Sequence, residues 1–227
     1  MNGATQTSAT VFATVGTDWK IAGAADFGGD KKSDLLWRND DGRMAIWQMN
    51  GATQGASAVV ATVDPAWKIA GTGDFGGDGK SDILWRKDDG SVALWQMNGL
   101  TPIAQNFLTP YPVVDNSWKI SGTGDFNGDS KSDLLWRNDD GSVNIWLMDG
   151  AYVLSAGLVT PYSVVDNNWK ISGTGDFNGD GKADILWRNT DGSTNVWEMN
   201  GSSVLSAGAI NPYAVVDTTW KIAAPIL

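Results

Sequence analysis

The stretch Trp118-Lys119-Ile120-Ser121-Gly122-Thr123-Gly124-Asp125-Phe126-Asn127-Gly128-Asp129, continuing Ser130-Lys131-Ser132-Asp133-Leu134-Leu135-Trp136-Arg137, decides the fold, because its order of residues returns along the 227-residue chain. Trp-Lys-Ile triplets begin at Trp19, Trp67, Trp118, Trp169 and Trp220, spaced by 48, 51, 51 and 51 residues. Self-similarity at a fixed period of this length marks a repeat architecture and is read before any local pattern.

Within each period the apolar residues read as four short strands. The first runs from Trp-Lys-Ile towards Gly-Asp-Phe. The second is Asp34–Arg38, Asp82–Arg86, Asp133–Arg137 or Asp184–Arg188, and the third alternates around Trp47, Trp95, Trp146 and Trp197. The fourth is a weaker run, such as Ala58–Val63 or Val164–Val165 with its neighbours. Asp-Gly pairs at Gly42, Gly90, Gly141 and Gly192, and Asn-Gly or Asp-Gly pairs at Gly51, Gly99, Gly150 and Gly201, are hairpin turns, since they accept positive φ cheaply. No segment sustains a helical period, so the chain is expected to be all-β. Four antiparallel strands per 48–51 residues are the signature of a propeller blade. Blades stack face to face, which gives the 13 Trp an ordinary packing role.

The expectation is a single β-propeller domain over 1–227, with repeats at 19–66, 67–117, 118–168 and 169–219 forming four complete four-stranded blades. Two extra terminal strands complete the count: an outer strand at about 8–15 within 1–18, and an inner strand in 220–227. Met1–Gln6 repeats Met49–Gln54, so the chain starts in mid-repeat, as a fragment of a longer array would. Three closures fit: a four-bladed ring with docked extra strands, a five-bladed ring with an incomplete blade, or a homodimer completed through incomplete blade edges.

Composition excludes many functions. With no Cys and no His there are no disulfides, no Cys/His zinc site, no thiol chemistry and no histidine-based triad. A net charge of −10 disfavours nucleic acid and anionic membranes and suits cations. No run approaches the ~20 apolar residues of a membrane span, so no membrane insertion is expected. The N-terminus has neither the basic nor the apolar region of a signal peptide.

The segment Gly175-Asp176-Phe177-Asn178-Gly179-Asp180-Gly181-Lys182-Ala183-Asp184-Ile185-Leu186-Trp187-Arg188 resembles the FG-GAP/VCBS repeat of integrin-α-like propellers and some propeller lectins. The resemblance spans all four repeats. It implies a propeller with Ca²⁺ in the loop between the first two strands, and it fixes neither ligand nor activity. The loop chemistry agrees. Ca²⁺ takes six to eight oxygens, and a nine-residue loop supplies carboxylates at its first, fifth and ninth positions, a side-chain oxygen at the third and a backbone carbonyl at the seventh. In the fourth repeat these are Asp176, Asn178, Asp180, the Lys182 carbonyl and Asp184. In the third they are Asp125, Asn127, Asp129, the Lys131 carbonyl and Asp133. The second has Asp74, Asp78 and Asp82, with Gly76 in the Asn place. The first has Asp26, Asp30 and Asp34, with Gly28 there and Lys31 at a sixth position that suits glycine. The expected affinity order is fourth ≥ third > second > first, with two to four ions bound. The competing reading is a set of Asp-rich turns closed by side-chain-to-backbone bonds.

Other recurring residues read better as structure than as chemistry. The Asp pairs at 40–41, 88–89 and 139–140 each precede a turn glycine, and Thr190 replaces the first member in the fourth repeat, so they are not a unique acid pair. Trp37, Trp85, Trp136 and Trp187 with Arg38, Arg86, Arg137 and Arg188 serve packing, or alternatively clefts that bind sugars between blades. Lys20, Lys68, Lys119, Lys170 and Lys221 read as solvent-facing charge. Thr109-Pro110-Tyr111, Thr160-Pro161-Tyr162 and Asn211-Pro212-Tyr213 protect outer edges or form an exposed tyrosine rim. The expected function is a non-enzymatic, extracellular or cell-surface binding module for a glycan, with a protein-interaction scaffold as the alternative and an accessory propeller of a polysaccharide-degrading enzyme as a third.

Overall fold

The computed structural model describes residues 13–210, and within them every strand belongs to one of four separate antiparallel sheets. The first sheet holds β1 (Trp19–Ala25), β2 (Asp34–Asn39), β3 (Arg43–Asn50) and β4 (Thr53–Thr62). The second holds β5 (Trp67–Gly73), β6 (Asp82–Lys87), β7 (Val92–Asn98) and β8 (Thr101–Phe107). The third holds β9 (Trp118–Gly124), β10 (Asp133–Asn138), β11 (Val143–Asp149) and β12 (Tyr152–Leu158). The fourth holds β13 (Trp169–Gly175), β14 (Asp184–Asn189), β15 (Thr194–Asn200) and β16 (Ser203–Ala209). Each sheet is a meander in chain order, and the first strands of successive sheets lie side by side. These are four blades of a β-propeller, with β1, β5, β9 and β13 innermost.

The elements follow from local chemistry. The turn glycines take positive φ, for example Gly42 at 95° and Gly51 at 61°, which a two-residue hairpin requires. A register shift recurs in each first hairpin, between Ile21 and Gly23 in the first blade and between Ile69 and Gly71 in the second. Such a bulge increases the local twist that stacked blades need.

The core lies between blades. One apolar cluster joins Phe27, Leu36 and Ile46 to Ile83, Trp85 and Met97. A second joins Phe75 and Leu84 to Leu134 and Trp136, and a third joins Phe126 and Leu135 to Ile185 and Trp187. Backbone bonds stitch the same junctions. Ser81, Ser132 and Ala183 donate to the carbonyls of Asp26, Asp74 and Asp125, while Gly99, Gly150 and Gly201 donate to those of Phe27, Phe75 and Phe126, at 2.6–2.9 Å. Approach is close enough that a Cβ on Gly122 would meet Thr174 Cγ2 at 2.8 Å, and one on Gly124 would meet the Ala183 Cβ at 2.6 Å.

Two sequence expectations need correction. The fourth strands begin directly after the Asn-Gly or Asp-Gly turns, at Thr53, Thr101, Tyr152 and Ser203. Val164–Val165 is not a strand; Val164 makes only an isolated bridge to Ser142. These outer strands are exposed, so no burial pattern marks them in the sequence. The extra inner strand in 220–227 lies outside the described residues, as do residues 8–12 of the expected outer strand, and 13–15 are not in a strand.

Replacing Phe126, fully buried at a blade junction, by Ala is expected to cost about 3–5 kcal/mol. Ile103→Ala on exposed β8 should stay within about 0.5 kcal/mol. Urea unfolding followed by Trp fluorescence checks both.

Candidate functional site

Each acidic loop lies between the first two strands of a blade and is closed by its own carboxylates. In the first loop, Asp26 Oδ1 accepts from the backbone N–H of Gly29 and Asp30, and Oδ2 from that of Lys31. Asp30 accepts from Lys32. Asp34 is buried, with Oδ2 accepting from Phe27 and Gly28 and Oδ1 from Met49 on β3. Asp74, Asp78 and Asp82 repeat this arrangement. The ninth-position aspartate therefore pins the loop to the third strand, a role that spacing alone did not reveal.

The third and fourth loops differ. Asp133 accepts from Phe126 and Met148, and Asp184 from Phe177 and Met199. Neither accepts from the residue in the Asn place. Instead Asn127 and Asn178 accept from Asp129 and Asp180 N–H. A carboxylate offers about four lone-pair sites, so Asp133 and Asp184 retain one more than Asp34 and Asp82. The donor set of these loops suits a hard cation: Asp125, Asn127, Asp129, Lys131 and Asp133, and Asp176, Asn178, Asp180, Lys182 and Asp184. In this arrangement, however, the described residues include no group of three acidic side chains drawn together around one position.

Burial pushes Asp82 up to about 6 and Asp133 up to about 7, against the opposing pull of their backbone N–H partners, with Asp74 and with Asp129 and Asp125 adding to the rise. Lys31 sits at φ 64°, in the left-handed region, as its place in a glycine position predicts. Ser130 sits at φ 68° in the third loop. Gly79 and Gly181 hold the same place in the second and fourth loops, and they are the only mark in the sequence of this second strained residue.

The Trp-Arg pairs meet across blades and are sealed there. Arg38 lies over the Trp85 ring at 5.4 Å, Arg86 over Trp136 at 5.5 Å and Arg137 over Trp187 at 5.4 Å. The three rings are 1% exposed, which removes them as sugar platforms. Arg86 also donates to the Gly90 and Val114 carbonyls at 2.7 Å. The indole N–H of Trp37, Trp85, Trp136 and Trp187 is buried without an acceptor, contrary to the expectation for a packed Trp. The second Asp of each pair accepts from the backbone two residues on, as Asp41 does from Arg43, so the Asp pairs are turn residues. Lys20 pairs with Asp40 at 2.9 Å, with both side chains exposed.

The Thr-Pro-Tyr segments bridge blades. Thr109 and Thr160 each make a parallel bridge to the next outer strand. Tyr111 packs on Trp146 at 5.1 Å and Tyr162 on Trp197 at 5.2 Å. The first repeat lacks these three residues, so Trp95 receives no tyrosine. A cleft of about 220 Å³ lies there, lined by Trp67, Trp85, Trp95, Phe107, Gln105 and Asn106, with Val63 and Ala93. Its lining carries no charge. Phe107 packs on Trp67 at 5.9 Å, and Trp85 backs Trp95 at 5.3 Å. The signal for this cleft was present in the 48-residue first spacing against 51 for the others.

Comparison with known families fits this geometry: the FG-GAP-like repeat model matches residues 26–85 and 125–187. The chain belongs to the FG-GAP-like repeat family. Each matched segment begins at the first aspartate of an acidic loop and ends at the second-strand Trp of the next repeat. Among solved structures, the chain is similar to one described as the structure of the Dos1 propeller, at 12% identity and a TM-score of 0.44. That match covers 82% of this chain and 48% of the other, so this FG-GAP-like chain corresponds to about half of that structure's length. No curated protein matches it.

Lys31→Gly and Ser130→Gly should each stabilise the fold by roughly 0.5–1 kcal/mol, by removing a left-handed non-glycine residue; thermal unfolding measures it. The raised Asp82 and Asp133 carboxyls bind protons more tightly in the folded chain than at the ordinary 3.8. The stability they confer is complete below pH 3.8 and lost as pH rises through about 6 and 7. In the presence of a chelator, the midpoint should therefore fall across that window.

Proposed function

We propose that this FG-GAP-like propeller is a non-enzymatic binding module whose ligand is a neutral sugar ring held on Trp95. The observation that carries this reading is the cleft itself, where the first repeat omits the tyrosine that covers the equivalent Trp in the third and fourth blades. Its volume equals about seven waters at ~30 Å³ each, in keeping with one ring. Trp95 and Phe107 offer apolar faces, and the exposed Gln105 and Asn106 amides offer donors and acceptors to hydroxyls. Absence of charge in the lining favours a neutral ligand. A second reading rests on what fills the same place elsewhere: because Tyr111 and Tyr162 occupy it in later blades, an aromatic side chain of a partner protein also suits it.

Calcium belongs to the same reading. The third and fourth loops would hold it through the side chains of Asp125, Asn127, Asp129 and Asp133, and of Asp176, Asn178, Asp180 and Asp184, with the Lys131 and Lys182 carbonyls. The ion would offset the mutual repulsion of these carboxylates. Two ions would bring the charge from −10 to −6. An extracellular setting, where calcium is abundant, suits such loops.

A titration of Trp fluorescence with a panel of neutral monosaccharides and oligosaccharides tests the ligand. Saturable binding is expected, weakened at least tenfold by Asn106→Ala and abolished by inserting Thr-Pro-Tyr before Val63. No response to any sugar, with binding of a tyrosine-bearing peptide blocked by the same insertion, would replace the glycan by a protein partner. For the loops, calcium at 100 times its Kd should add about 2.7 kcal/mol, read as a midpoint shift against EGTA and lowered by Asp129→Ala. An unchanged midpoint and no heat of binding would leave them plain turns.

A further inference from the structure

The second blade departs from the repeat at two positions that are hydrogen-bonded to each other in the first and third. Asn39, Asn138 and Asn189 follow the second-strand Trp-Arg in the other blades, and Lys87 takes that position in this one. The asparagines are turn residues: the Oδ1 of each accepts from the backbone N–H two residues on. Asn39 also donates to Asp18, and Asn138 to Ser117, the residues before the inner-strand Trp. In the second blade Ala66 stands there, with no side-chain acceptor. A lysine and an alanine thus replace a polar pair, and the turn gives up bonds that a lysine side chain cannot make.

Lys87 lines a cleft of about 450 Å³ between the second and third blades. The charged part of its lining is Lys68, Arg86, Lys87 and Lys119 against Asp88 alone, in a chain of net charge −10. Arg86 lends charge, but its donors go to the Gly90 and Val114 carbonyls and to Asn116. The lysines keep donors in reserve. Lys68 and Lys119 each give one bond to a neutral carbonyl, of Pro65 and of Asn116, and an ammonium carries three donors. Lys87 lies 3.0 Å from Asp89 and Lys119 3.9 Å from Asp139, pairs open to water and of little worth there. Apart from Asn116, the rest of the lining is apolar: Ile69, Ala70, Trp118 and Ile120. The equivalent cleft between the third and fourth blades, about 370 Å³, has Asn138 in place of Lys87 and Ser121 in place of Ala70. It is therefore both less basic and less apolar.

We propose that the cleft between the second and third blades binds a small organic carboxylate, with Lys68, Lys87 and Lys119 holding the carboxylate and Trp118, Ile69 and Ile120 receiving its carbon skeleton. The inference stands apart from the sugar and calcium readings. Converging cations favour an anion. The blades' own usage selects a carboxylate: Lys20, the equivalent of Lys68, donates to both oxygens of Asp40 at 2.9 Å. Apolar surface in the same cleft selects a ligand with a carbon body, since only that gains from leaving water.

Calorimetric titration of the full chain with cyclohexanecarboxylate tests this, with neutral cyclohexanemethanol and inorganic phosphate as comparators. One saturable site per chain is expected, with both comparators at least tenfold weaker. Lys87→Asn restores the residue that the other three blades carry, and circular dichroism verifies its fold. It should weaken the carboxylate at least tenfold, whereas Asn106→Ala, in the cleft over Trp95, should leave it unchanged. No saturable binding, binding unaltered by Lys87→Asn, or loss of binding in Asn106→Ala would each overturn the proposal. Phosphate bound as tightly as the carboxylate would overturn it too, by showing a basic surface without a site for the carbon skeleton.

Discussion

A buried carboxylate bonded to backbone N–H groups holds each blade together. Asp34, Asp82, Asp133 and Asp184 are at most 2% exposed, and each joins the N–H that begins the acidic loop to an N–H of the third strand fifteen residues on. Burying a charge is tolerable only when hydrogen bonds replace its water, so the loop must keep the shape that delivers them. That shape fixes where Phe27, Phe75 and Phe126 point, and these side chains fill the junction with the next blade. Loop geometry, blade twist and blade stacking thus follow from one clamp repeated four times. Burial raises Asp82 and Asp133 towards neutral pH, against the pull of their backbone donors.

The stacking of blades explains where function is absent. The Trp-Arg pairs look like binding equipment because stacked rings and guanidinium groups are common in sites. Here Arg38, Arg86 and Arg137 spend their donors on hairpin carbonyls and their planes on the next Trp. The buried Trp rings are thereby committed to packing, while the arginines stay partly exposed. The cleft over Trp95 arises the other way, from something the repeat leaves out. The third and fourth blades already contain the solution for covering that aromatic surface, and only the first repeat declines to supply it.

Much of this was legible in the sequence. The period, the second and third strands, the turn glycines and the acidic loops follow from residue order, because burial and positive φ leave strong marks. What stayed hidden left weak marks. The outer strands are exposed, so β8, β12 and β16 carry no alternation that separates them from loop. Ser130 is small and polar and does not stand out in a glycine position as Lys31 does. The clamp made by Asp34 and its equivalents needs the third strand, which is distant in sequence, so loop spacing alone carries no mark of it. The cleft was encoded in a spacing of 48 instead of 51, but its meaning depends on knowing what Tyr111 and Tyr162 touch.

Repeat proteins bury their cores between neighbours, so their ends are a physical problem that a single-core domain does not face. Capping usually solves it by changing the end repeats until their outer faces are polar. The fourth blade has not been altered in that way: Phe177, Leu186, Gly173 and Gly175 keep the identities that a junction requires. A face that retains small residues for close approach and a large apolar one for filling is suited to a neighbour rather than to water. Since the first blade keeps the complementary half, the chain carries both sides of the same junction, and the rule that stacks its four blades applies without new chemistry to whatever covers these two faces.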